Sequence, residues 1–309
     1  MLATRIVRDL VVDRPIGPGR PAFIAAGSGF VRAGAHLYVV ADDDRHLASF
    51  PAEGDEPGRL HRLAPGDLPV EVAERKGEKP DLEALAVLPA FPGAPHGAVF
   101  AVGSGSSPHR TTGFVWALAR TGSLTGRARP VWLGDLYGEL IVRVHELNVE
   151  GAAVVGDAFR LLQRGNNAEG ENAVVDLDLS GTLAAVAEGR AITPRLIREV
   201  RPYDLGRMQG VKLTFTDASP LPGGRMAFSA VAEDSGDAIN DGPCVGSVIG
   251  VMEPDGEVSA SVPLDRPLKV EGVLAELAGE GLDLLLVTDA DDPATPSPLI
   301  AARMDAGST

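Results

Sequence analysis

The sequence predicts an all-β fold: a single β-propeller domain over residues 1–309, with five four-stranded blades closed by the N-terminal strand. Three observations carry this reading. LNVEGAAVV at 147–155 returns upstream as PDLEALAV (80–87) and downstream as LKVEGVLA (268–275), with a variant form, MQGVKLTF, at 208–215. Aligning Glu83, Glu150, Lys212 and Glu271 gives spacings of about 67, 62 and 59 residues, the near-constant period of a radial repeat. Short β-rich runs separated by turn residues fall into five groups, and the last group lacks one strand while residues 5–12 stand alone at the start. Pairing that orphan into the last group removes the unpaired edge where the two ends of a propeller meet.

In chain order, residues 5–12 (RIVRDLVV) read as this closing strand, stopped by Pro15, Gly17, Pro18 and Gly19. The first group takes 29–32, 36–41, 47–50 and 59–63, with Ala33-Gly34, the aspartates 42–44 and residues 53–58 as turns. Residues 74–80 (ERKGEKP) read as a charged loop between blades. The second group takes 82–88, 98–102, 113–119 and 127–133. The third takes 149–155, 158–163, 173–179 and 196–201, with a short helical excursion at 182–188. The fourth takes 211–216, 226–232, 245–252 and 257–262, and the last 270–277, 282–288 and 299–304. A sixth blade is the alternative if 133–147 or 188–206 hides further strands.

Composition limits the partners. A net charge of −15 and a pI near 4.8 oppose nucleic acid and anionic membranes, since each contact begins with like-charge repulsion. A single cysteine, Cys244, excludes an intrachain disulfide and a cysteine-based zinc site. Charges at Arg5, Arg8 and Asp9 interrupt the apolar run a signal peptide needs, and no stretch reaches the roughly 20 apolar residues of a membrane span. The expectation is a cytoplasmic protein, or a secreted one if a leader has been removed.

If the blades run outward from the axis as antiparallel hairpins, the starts of the inner strands and the loops after the second strands share one face. That face gathers Glu83, Glu150, Glu271 and Lys212, the acidic loops 42–44 and 289–292, the loop GSGSSPHR with His109 and Arg110, and Arg164 in LLQRGNN. Charged groups enter a buried strand when paired or bound to an ion. Two accounts follow: the glutamates staple neighbouring blades together with Lys212, or Glu83, Glu150 and Glu271 hold Ca²⁺ or Mg²⁺ through oxygen ligands. Neither acidic loop follows the EF-hand pattern, and Walker, dinucleotide and nucleophile-elbow signatures are missing.

The motifs DLEALAV followed by VGSGSSPHR, and NVEGAAV followed by LLQRGNN, resemble those of bacterial phytase-like or esterase-like propellers and related uncharacterised families. Calcium-dependent lactonase propellers carry similar short acidic motifs. Ala84 departs from the glycine of the motif, and Lys212 from its acid. The resemblance implies a metal-assisted hydrolase of a small phosphate ester, or of a related anionic ester or lactone. Glu83, Glu150 and Glu271 would hold the cation, Arg110 and Arg164 would orient the anion, His109 would move a proton, and Lys212 would stand among the site residues as an ammonium beside the carboxylates. The contrasting expectation is a non-catalytic propeller that binds a ligand or protein partner.

Overall fold

In the computed structural model, which describes residues 1–165, 170–234, 242–289 and 291–305, period-2 alternation of apolar residues drives the assembly. Strand β3 (His36–Ala41) is buried on both faces: Leu37 and Val39 enter one cluster with Val287 and Leu299, while Tyr38 and Val40 enter another with Leu85 and Val99. Alternate side chains therefore bind the blade to both neighbours. Five such clusters exist among the described residues, one between each pair of adjacent blades.

The first blade is β2 (Gly27–Ala33), β3, β4 (His46–Pro51) and β5 (Arg59–Arg62), in that order outward. The second is β6 (Leu82–Leu88), β7 (Ala98–Gly103), β8 (Thr112–Ala117) and β9 (Arg129–Trp132). The third is β10 (Val149–Val155), β11 (Ala158–Gln163), β12 (Asn172–Asp178) and β13 (Ile197–Tyr203). The fourth has β15 (Val211–Pro220) as its inner strand, preceded by a two-residue strand, β14 (Arg207–Met208), that pairs along its edge, and then β16 (Met226–Glu233), β17 (Cys244–Met252) and β18 (Val258–Pro263). The fifth runs β19 (Val270–Ala278), β20 (Gly281–Thr288), β21 (Pro298–Met304) and then β1 (Thr4–Asp9), which closes the ring. Antiparallel pairs such as Ile6 with Ile300 join β1 to β21. No helix among the described residues is long and apolar enough to cross a membrane.

The blade count is five because the two segments that could have hidden a sixth do other work. Residues 133–147 form α2 (Gly134–Leu140), whose Leu136, Tyr137 and Leu140 pack under the second and third blades, with the Tyr137 hydroxyl donating to the Gly103 carbonyl at 2.6 Å. Residues 188–206 supply β13 of the third blade. The expected loop at 74–80 is instead largely helical, α1 (Val72–Glu78), anchored by the buried Arg75 donating to the carbonyls of Pro69 and Val70. The helix near 182–188 is α3 (Leu179–Ala187), started by the Asp178 side chain accepting from the Gly181 amide.

The inner strands approach one another closely. A Cβ built on Gly29 would lie 2.5 Å from the Leu85 amide nitrogen, one on Gly151 3.0 Å from Asp217 Cα, and one on Gly272 2.6 Å from the Ser28 carbonyl. Glycine is required there because the next blade's backbone occupies the space of a side chain. We expect Gly29→Ala to destabilise the protein by about 1–3 kcal/mol through overpacking. Gly77→Ala, in α1 with nothing within 4 Å, should stabilise by up to about 1 kcal/mol. Urea unfolding of the two variants checks this, and a Gly29→Ala midpoint equal to wild type would refute the close-approach account.

Candidate functional site: a charged ring at the axial mouth

Every inner strand carries a one-residue bulge in its pairing with the second strand of its blade. The register shifts lie between Gly27 and Phe30, Leu82 and Ala84, Val149 and Gly151, Phe215 and Asp217, and Val270 and Gly272. An extra residue re-aims the side chain at the bulge, and in blades two, three and five that residue is Glu83, Glu150 or Glu271. In the fourth blade it is Thr216, four residues beyond Lys212. Alignment of Lys212 with the glutamates is therefore corrected: β15 begins earlier than the other inner strands, and its lysine precedes the bulge. The Lys212 ammonium donates to the Gly170 carbonyl. In the first blade Ser28, with Gly29, occupies the bulge.

Around Glu83, Glu150 and Glu271 the face collects further charge from all five blades. Lys79 pairs with Asp42 and, at 2.8 Å, with Asp81, which also accepts from Arg110 at 2.9 Å. Asp81 sits at φ 54°, a left-handed conformation that aspartate tolerates. The Ser104 hydroxyl donates to Asp81, reinforcing its position. Arg164 pairs with Glu233 and lies 3.6 Å from both Glu150 and Glu271. Lys269 reaches Glu233 (3.1 Å), Glu271 (3.7 Å), Asp289 (3.8 Å) and Asp291 (2.7 Å). Ligand oxygens of Asp42, Asp81 and Glu83 all lie within 4.8 Å of one another.

Among the described residues, then, eight carboxylates (Asp42, Asp81, Glu83, Glu150, Glu233, Glu271, Asp289, Asp291) face four cations (Lys79, Arg110, Arg164, Lys269). The imbalance appears as proton affinity. Burial first, and then the neighbouring Glu150 charge, pushes Glu83 well above the usual carboxylate range. Burial raises Glu150 to about 8 against the opposing pull of Arg164. Glu271 rises to about 7 and Asp289 to about 7, again chiefly through burial. Asp81 goes down instead, because Lys79 and Arg110 outweigh its burial. One oxygen of Asp42 and one of Glu271 are buried without a hydrogen-bond partner among the described residues.

The expected site residues thus have different standing. Glu83, Glu150, Glu271, Arg110 and Arg164 lie in the ring, but both arginines are engaged by carboxylates, Arg110 also by the Ser106 hydroxyl and the Lys76 carbonyl. His109 is exposed and lies 3.1 Å from the Ser107 hydroxyl. Asn166 and Asn167 of the LLQRGNN motif lie outside the described residues. Sequence reasoning missed Lys79 as a ring member; the topology places Glu233 and Lys269 on this face from the sequence alone, but neither was given a role. The scarcity of lysine, only Lys76, Lys79, Lys212 and Lys269 in the chain, was the available signal, since two of the four are in the ring.

Residues 23–304 match the family model described as "Family of unknown function (DUF6929)". The chain belongs to this family. A search of curated proteins found no match for this DUF6929 member. Solved structures similar to it include a luciferin-regenerating enzyme (10% identity, covering 99% of this chain and 96% of that one, TM-score 0.49). A mannose phosphorylase from Leishmania mexicana in complex with phosphate is similar at 11% identity, covering 97% and 89% (TM-score 0.48). A putative gluconolactonase is similar at 13% identity, covering 98% and 97% (TM-score 0.38). At these identities and TM-scores the likenesses transfer no activity to the DUF6929 chain.

The raised carboxyls give a pH dependence with a definite sign. Glu150 and Glu271 bind protons more tightly folded than unfolded, so their stabilising contribution is complete below about pH 4 and is lost as pH rises through 7 to 8. Asp81 acts oppositely, but its window lies at acid pH, below its ordinary value of 3.8. Unfolding free energy should therefore fall between pH 5 and 9 in wild type. Glu150→Gln, which fixes the neutral form, should lose less over the same range, by on the order of 2 kcal/mol. Parallel pH profiles for the two proteins would remove Glu150 as a raised carboxyl.

Proposed function

We propose that the axial mouth holds a divalent cation, Ca²⁺ or Mg²⁺, and serves metal-assisted hydrolysis of a small ester or lactone. The observation that carries this reading is the Asp42, Asp81 and Glu83 group, whose oxygens converge within 4.8 Å in a ring short of positive charge. The donor set fits a hard cation: all oxygen, with an unpartnered Asp42 oxygen beside it. A cation bound there would lower the pKa of its water and polarise the scissile carbonyl. Asp42, Asp81 and Glu83 would hold it. Glu150, raised to about 8, is suited to exchange a proton near neutral pH. Arg164 and Lys269 would keep Glu150, Glu233 and Glu271 in place.

The motif resemblance also implies phosphate esters. Against them, Arg110 and Arg164 already bind carboxylates, and an anion would have to displace those partners. A second reading has its own observation: Lys79 bridges Asp42 and Asp81, as a purely structural staple would. Under that reading the propeller binds a ligand or protein partner without catalysis.

Calorimetric titration of chelator-treated protein with Ca²⁺ and Mg²⁺ separates the two. The expected result is saturable binding at millimolar or lower metal, tighter at pH 8 than at pH 6 because protons must leave, with proton release detected by comparing buffers. Glu83→Gln should weaken binding at least tenfold, a loss of about 1.4 kcal/mol. Hydrolysis across a panel of aryl esters and lactones should then be abolished by chelation and restored by the metal. An absence of heat at 10 mM of either metal, or equal affinity in Glu83→Gln, would leave the structural reading.

A further inference from the structure

Outside the axial ring, blade one carries a second charged district of the opposite sign. The loop 13–21 (DRPIGPGRP) that leads from β1 into β2 is stiffened by three prolines and pinned by the buried Ile16. With β4 and β5 it encloses a cleft of about 610 Å³ lined by Arg14, Arg20, His46, Arg62 and Asp67 among others, within the size range of small-molecule sites. Arg20 of the lining donates to Asp43 at 2.7 Å, a carboxylate it shares with Arg75, which lies outside the lining and approaches it at 3.3 Å. Arg14 donates to the Leu60 carbonyl at 3.0 Å, and Arg45 to the carbonyls of Pro65 and Glu78. Among the described residues neither pairs with a carboxylate; Arg62 pairs with Asp67 at 2.8 Å, but both side chains are about half exposed, unlike the buried pairs of Arg110 and Arg164, so an anion displaces Asp67 at little cost. In a chain of net charge −15 this is a local surplus of positive charge.

The imidazole in the cleft is fixed as well. His46 and Asp44 are buried, 6% and 4% exposed, and His46 Nδ1 lies 3.1 Å from Asp44 Oδ1. The Asp44 carboxylate is itself held by the Arg45 amide at 2.7 Å. A carboxylate on Nδ1 sets the ring's orientation and leaves Nε2 for the cleft.

We propose that this cleft is a binding site for a small phosphorylated molecule, with Arg14 and Arg62 reaching its phosphate oxygens, Arg20 supplying fixed charge and His46 Nε2 donating or accepting the orienting hydrogen bond. Guanidinium clusters favour phosphate because their planar forks match its oxygens. The site is independent of the axial cation, so either assignment can fail alone.

Histidine-selective ¹⁵N labelling reads it out, with inorganic phosphate and glycerol phosphate titrated at pH 7 and ionic strength held constant with NaCl. The His46 ring signals should shift saturably in the low-millimolar range, with glycerol phosphate binding at least as tightly as phosphate. Arg14→Ala, an exposed position whose loss should leave thermal unfolding unchanged, should weaken binding about tenfold, and Arg62→Ala should do so comparably. A shift that rises linearly to 50 mM without saturating, or equal affinity in wild type and Arg14→Ala, overturns the proposal.

Discussion

The structure depends on one repeated constraint, the close approach of five inner strands around the axis. A bulge in each strand re-aims one side chain, in three of the five a glutamate of the charged ring, and the position after it must clear the neighbouring backbone. Gly29, Gly151 and Gly272 meet that demand by having no side chain, and Ala84 by having a small one. Asp217 meets it differently. Its carboxyl is fully buried, accepts from the Val273 amide at 2.9 Å and has its proton affinity raised well above the ordinary range, mainly by burial. The glutamate-glycine pair that recurs in the sequence is thus a single geometric unit: one residue turned inward and one making room.

Charge follows from the same crowding. Side chains from widely separated parts of the chain converge because each is the bulge residue or the nearby loop of its blade. Their like charges are then relieved by Lys79, Arg110, Arg164 and Lys269, and where these do not suffice, by protons. Burial of a carboxylate without a full counter-charge disfavours its ionised form. The ring's raised proton affinities and its orphaned Asp42 and Glu271 oxygens are two expressions of one deficit.

Much of this was legible in the sequence. Alternating apolar runs and turn residues located nearly every strand, and the missing strand of the last group pointed to β1, because both signals are local. What failed was register. MQGVKLTF resembles the repeat in its spelling, yet the bulge falls at Thr216, since β15 extends to Pro220 and the repeat unit is set by pairing with β16. The charged segment 74–80 was also misread: polarity suggests a loop, but Arg75 is buried against backbone carbonyls, a tertiary contact with no sequence pattern. Lys79 joins the ring through such a contact, bridging Asp42 and Asp81.

Thr216 also bears on why the other bulge residues are acids. Its hydroxyl donates to the Val270 carbonyl at 2.7 Å and lies 2.8 Å from the Ser229 hydroxyl, tying the fourth blade to the fifth and satisfying its own polar atoms. A neutral donor therefore fills this position well when the need is only to join blades. A glutamate at the same position can donate only when it carries a proton, which burial favours here: Glu150 is raised to about 8 and Glu83 well above the usual range. Ionised, a glutamate joins blades through a cation instead, as Glu271 of the fifth blade does with Arg164 of the third. The three acids therefore make the joints of this face depend on charge and pH, where Thr216 makes one that does not.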